Sequence, residues 1–127
     1  MNQIKKLANA FYVDAEPSDT VKGLTRYSIE RYKKKHGGLW VGGSVVISSK
    51  GISFSPNFFN RNFHKELKDI YIPQDTIKSV EYKFAWFTGI VEVHHDEGVF
   101  KFRCYGAKKL VDFLNHSNKN IQVENNE

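Results

Sequence analysis

TGIVEVHHDEGVFKFRCYGAKKLVDFLN, residues 88–115, changes its periodicity part-way along, and that change decides the fold. Val91 and Val93 alternate with Glu92 and His94, and Phe100, Phe102 and Cys104 alternate with Lys101 and Arg103. A period of two is what a strand with one buried face requires. Between the two runs, His95, Asp96, Glu97 and Gly98 form a polar loop whose glycine can take the positive φ of a hairpin turn. Ala107, Leu110, Val111 and Leu114 then recur at the spacing of one helix face. A β-hairpin feeding an amphipathic helix predicts a sheet whose open end or face that helix covers.

Working outward, the 127 residues suffice for one ordinary domain with a real core. Aromatics make up 14% of the chain, so phenylalanine and tyrosine must supply much of that core. Cys104 is the single cysteine, which excludes an internal disulfide and fits a reducing compartment. The first residues carry no apolar run of signal-peptide length, and no segment reaches the roughly 20 apolar residues of a membrane span. The expectation is a soluble cytoplasmic domain, peripheral to a membrane if it meets one. The formal charge of +5 is uneven: residues 1–64 hold ten Lys/Arg against four Asp/Glu, residues 65–127 nine against ten. A basic excess of this kind favours encounters with anionic partners.

In chain order, Ile4, Leu7, Ala8 and Phe11 fall at helical spacing, so residues 1–19 read as an N-terminal extension with a short helix, broken near Pro17. Residues 20–32 admit two readings. Val21, Leu24 and Ser28 could lie on one side of a helix, whereas Thr25, Tyr27, Ile29 and Tyr32 are residues that strands favour. The preferred reading is a strand over residues 25–34, followed by a basic turn at Lys33, Lys34, Lys35 and His36 before Gly37 and Gly38. Leu39, Val41, Val45 and Ile47 share one parity, with a bulge or close backbone contact expected at Gly42 and Gly43. Ile52 and Phe54 continue the inward face until Pro56. Residues 56–68 form a polar loop carrying Phe58, Phe59 and Phe63, which either cap the core or form an exposed patch. Ile70 and Ile72, then Val80, Tyr82 and Phe84, mark two more strands. Ala85, Trp86, Phe87, Thr88 and Gly89 make a hairpin tip that is unusually apolar. Residues 118–127 read as a polar tail. The sum is a mainly β fold, an antiparallel sandwich or partly open barrel of about seven strands capped by a C-terminal α-helix.

Three stretches in this order resemble the GRAM domain of the pleckstrin-homology-like superfamily. They are GGSVVISSKGISF at residues 42–54, IPQDTIKSV at residues 72–80, and the hairpin with its Gly106, Ala107, Lys108, Lys109 helix start. The resemblance covers roughly residues 26–116, and the domain is expected to span 20–117. It implies a non-catalytic binding module, docking to phosphoinositides or membranes or to proteins. The pleckstrin-homology phosphoinositide motif places basic residues at the end of the first strand and in the next strand. Lys33, Lys34 and Lys35, with His36, match the first part by position; residues 39–47 contain no Lys or Arg to match the second.

The sequence gives no support for catalysis or for a cofactor. His94 and His95 are adjacent, and adjacent strand residues point to opposite faces, so the pair does not chelate one ion. Cys104 sits on the inward face as a small hydrophobe. No phosphate-cradling glycine loop or nucleophile-elbow motif occurs. Tyr27 and Tyr32 lie near the lysine run as in single-strand binders, but no nucleic-acid motif accompanies them. The candidate anion-binding residues are therefore Lys33, Lys34, Lys35 and His36. The candidate membrane or partner contacts are Phe58, Phe59, Trp86 and Phe87. The alternative to a lipid-docking module is a protein-interaction or self-association module using the residue 58–63 loop and the Trp86–Phe87 tip.

Overall fold

The computed structural model describes the backbone of residues 3–13, 16–17, 22–57, 64–65 and 67–125, and the side chains of these except 16–17, 64–65 and 117–125. Phe58, Phe59 and Phe63 lie outside the described residues. The elements are β1 (Ile4–Tyr12), β2 (Glu16–Pro17), α1 (Gly23–His36), β3 (Leu39–Ser48), β4 (Gly51–Pro56), β5 (His64–Lys65), β6 (Ile70–Pro73), β7 (Ile77–Phe84), β8 (Gly89–His95), β9 (Gly98–Cys104) and α2 (Ala107–Asn125). The chain is mainly β, with seven strands in long antiparallel ladders and a C-terminal helix. It divides into two compact units, Met1–Gln74 and Asp75–Glu127.

In the first unit the strand order is β6-β4-β3-β1, all antiparallel, with β2 and β5 forming a separate two-residue ladder. β3 alternates buried and half-buried residues along its whole length, and Val41, Val45 and Ile47 on its inward face are fully shielded. Ile52, Phe54 and Ile72 extend that core across β4 and β6. Gly43 is the close contact expected at the glycine pair, though without a bulge: a Cβ there would sit 2.2 Å from the Ser55 carbonyl oxygen. The Tyr12 hydroxyl donates to the Lys68 carbonyl at 2.7 Å, closing β1 onto the approach to β6.

Two expectations for this unit are overturned, and they exchange places. Residues 4–12 form a strand, not a helix. Ala8, Ala10 and Tyr12 are buried on alternate positions, while Leu7, which the helical reading turned inward, is 83% exposed. Its two alanines carry the inward face, and small residues give a weak period-two signal. They fit because β1 lies along the glycine pair, with Ala8 opposite Gly43 and Asn9 opposite Gly42. The strand preferred over residues 25–34 and the basic turn that follows it are instead one helix, α1, the other of the two readings open for residues 20–32. Arg, Lys, Glu and Leu are strong helix formers, and the helix stops at Gly37, whose φ of 80° makes a left-handed cap donating to the Lys33 carbonyl. The tyrosines and β-branched residues that suggested a strand do not decide the outcome, because none of them is buried. The count of seven ladder strands survives, with β1 as the first of them.

The second unit is the meander β7-β8-β9 followed by α2, as the opening stretch predicts. Val80, Val91, Val93, Phe100, Phe102 and Cys104 face inward, and α2 lays Ala107, Leu110, Val111 and Leu114 over β7 and β8. Gly89 lets the helix start approach, since a Cβ there would lie 2.7 Å from that of Ala107. The Asn115 Nδ2 donates to the Val80 carbonyl at 3.2 Å, tying the helix to β7. α2 continues to Asn125, through most of the stretch whose composition suggests a tail, because no glycine or proline interrupts it.

Candidate functional site

Lys33, Lys34, Lys35 and His36 occupy the last turn of α1. Cations at a helix C-terminus are favoured by the partial negative charge of the unsatisfied carbonyls, by about 0.3–1 kcal/mol each. The His36 ring packs against Tyr32 with centroids 4.2 Å apart. Seen as a helix, the segment has more cations than the run first singled out: Lys22, Arg26 and Arg31 join the three lysines, against Glu30 alone. Residues 22–36 thus carry a net +5, equal to the charge of the whole chain. Arg26 pairs with Glu30 one turn on, at 3.2 Å. No residue of α1 is buried, and Leu24 and Tyr27 are 85% and 61% exposed. Helical periodicity in the sequence could have found the extra cations only if the segment had first been read as a helix.

The positional match to the phosphoinositide motif does not hold. The first strand ends at Tyr12, so the lysines stand on a helix between β1 and β3 instead of at a strand end. With no Lys or Arg in residues 39–47, the surface is suited to diffuse attraction of negative charge and not to one shaped headgroup pocket.

Trp86 and Phe87 lie in the connection between β7 and β8 and are 76% and 88% exposed. Phe84, expected on the inward face, joins them at 74% exposed, because the inward face of β7 is buried at Val80 and open by its last residue. The Phe84–Trp86 and Trp86–Phe87 ring centroids are 6.3 and 6.2 Å apart, so the three rings form one cluster. Phe87 has φ 66°, a left-handed conformation that costs a bulky residue of order 1–3 kcal/mol. Arg103 on β9 holds the loop: its Nε donates to the Thr88 hydroxyl at 3.2 Å and a terminal nitrogen to the Trp86 carbonyl at 3.3 Å. The tip is a set of large apolar rings kept in water by a fixed backbone.

His94 and His95 face opposite sides of β8, as the strand geometry requires. Cys104 is buried. Among the described residues no helix is long and apolar enough to cross a membrane. No protein-family model matches the chain, and no curated protein matches it either.

Proposed function

We propose that this chain is a non-catalytic binding module of pleckstrin-homology or GRAM type that docks on an anionic membrane surface. The observation that carries the reading is the segment 22–36, helix α1 with the lysine that precedes it, which concentrates a net +5 where none of the helix residues is buried. A helix that is at most half-buried along one side and carries that much charge gains most from an extended surface of opposite sign. Each basic residue held near an anionic leaflet contributes about 1 kcal/mol. The exposed rings of Phe84, Trp86 and Phe87 supply the second element, since aromatic side chains partition to the membrane–water boundary. The GRAM resemblance of residues 42–54 and 72–80 supports the same class.

The test is co-sedimentation with vesicles of phosphatidylcholine alone and of phosphatidylcholine mixed with phosphatidylserine. Binding is expected only to the mixed vesicles, and it should be lost near 1 M salt, where screening acts within about 3 Å. Absence of binding to the mixed vesicles at low salt overturns the reading. The exposed ring cluster favours one rival, docking to a protein or to a second copy of the chain through Phe84, Trp86 and Phe87. Light scattering of Trp86→Ser/Phe87→Ser decides self-association: a mass that is already monomeric and unchanged by the substitutions excludes it.

A further inference from the structure

The outer face of the second unit brings together three metal-ligating side chains from two strands. Glu81 on β7 stands directly opposite Glu92 on β8, and His94 lies two residues further along β8 on the same face. One ligand atom from each lies within 4.8 Å of the others. The His94 Nε2 is 3.4 Å from the Glu81 Oε2 and 3.5 Å from the Glu92 Oε1. That nitrogen is closed off from solvent and has no hydrogen-bond partner. Two carboxylates facing each other across a ladder repel, and here an unsatisfied imidazole nitrogen points between them.

From this arrangement the geometry points to a divalent-cation site formed by Glu81, Glu92 and His94. Bonds of about 2.0–2.2 Å from a tetrahedral ion separate its ligand atoms by about 3.3–3.6 Å, which matches the two distances at His94. One imidazole and two carboxylates suit Zn²⁺, Mn²⁺ or Fe²⁺ better than Ca²⁺, which takes six to eight oxygens. An ion here would replace the Glu81–Glu92 repulsion with two attractions and give the His94 nitrogen a partner.

The bulge in β7 borders the site. The register runs unbroken from Phe84–Gly89 to Ser79–His94, which puts the small Ser79 opposite His94, and shifts by one residue only beyond it, at Lys78, which reaches Asp96 at 4.0 Å. The side chains of Glu92 and His94 are 20% and 33% exposed and that of Glu81 is 50% exposed, so the Glu81 carboxylate is the open side of the cluster. Two cations border the site. The Lys83 Nζ is 3.9 Å from the Glu81 Oε2, and Lys101 stands opposite Glu92 on β9. Lys83 competes with an ion for Glu81.

Calorimetric titration of the untagged full chain with ZnCl₂ and with MnCl₂, near neutral pH, tests the site. One ion should bind per chain. His94→Asn and Glu92→Gln should each weaken binding at least about tenfold, His95→Asn should not, and Lys83→Gln should strengthen it. Broadening of NMR signals by Mn²⁺ in the unaltered protein locates the ion whether or not the variants fold, and should centre on Glu81, Glu92 and His94. Failure of both ions to bind, binding untouched by His94→Asn, or broadening centred elsewhere overturns the site.

Discussion

If α1 carries the docking surface, removing three of its exposed cations should weaken membrane binding by a calculable amount. Arg31, Lys34 and Lys35 are all exposed, and none of them takes part in the Arg26–Glu30 pair. At about 1 kcal/mol per basic residue near an anionic leaflet, their loss removes about 3 kcal/mol. With 1.4 kcal/mol to a decade, the partition coefficient should fall by on the order of 100-fold. Glutamine is the right replacement, since its helix propensity is close to that of lysine and arginine. The substitutions also remove favourable charge from the helix C-terminus, at about 0.3–1 kcal/mol each for Lys34 and Lys35 in the last turn. Circular dichroism should therefore be compared before binding is measured. The control takes the same three charges from elsewhere: Lys50, Lys68 and Lys78, all exposed and all outside α1. The two triple variants have equal net charge and differ only in where it was removed. Sedimentation with phosphatidylserine-containing vesicles at low salt should show the large loss for the α1 variant alone. An α1 variant within about threefold of the parent, or an equal loss in both variants, refutes the reasoning, because binding would then depend on total charge and not on the helix.

Three further outcomes test the scaffold and the tip. Phe102→Ala removes a fully buried ring from the centre of the second unit and should cost about 3–5 kcal/mol in denaturant unfolding; a loss under about 1 kcal/mol would mean that the core is not packed as described. Gly43→Ala puts a Cβ 2.2 Å from the Ser55 carbonyl and 2.9 Å from the Pro56 Cα, backbone atoms that cannot swing aside, and should destabilise the first unit by about 1–3 kcal/mol on the same measurement. Arg103→Gln removes the two bonds holding residues 86–88, so Trp86 fluorescence anisotropy should fall with little change in overall stability; unchanged anisotropy would show that the loop is fixed by other contacts.

How much of this was legible beforehand differs from element to element. The β8–β9 hairpin and α2 were readable because each buries one face against a neighbour, so Val91, Val93, Phe102, Leu110 and Val111 carry the period of their own structure. Trp86 and Phe87 were readable as a tip. Their exposure was not, because rings of that size ordinarily bury, and only the path of the chain leaves them in water. Phe84 was placed on the wrong side of that line, since alternation continues past the point where the sheet is covered.

β1 and α1 show the complementary failure. The local pattern of residues 4–12 fits a helix through Ile4, Leu7, Ala8 and Phe11, but pairing with β3 over nine residues imposes the other period. Helix α1 has no fully buried residue, and its half-buried stripe of Arg26, Ile29 and Lys33 is mostly charged, so its sequence bears little apolar imprint of packing, and propensity and the Gly37 cap do most to specify it. Glu81, Glu92 and His94 are unreadable for a third reason: their convergence depends on the β7–β8 register, which is fixed where Phe84 pairs with Gly89 at the connection between the strands. By itself the sequence determined the β-rich class, the closing hairpin and helix, the uneven charge and the apolar tip, since each rests on local periodicity or composition. Tertiary structure decided which N-terminal segment is strand and which is helix, and which charged groups meet, because those outcomes depend on partners distant in the chain.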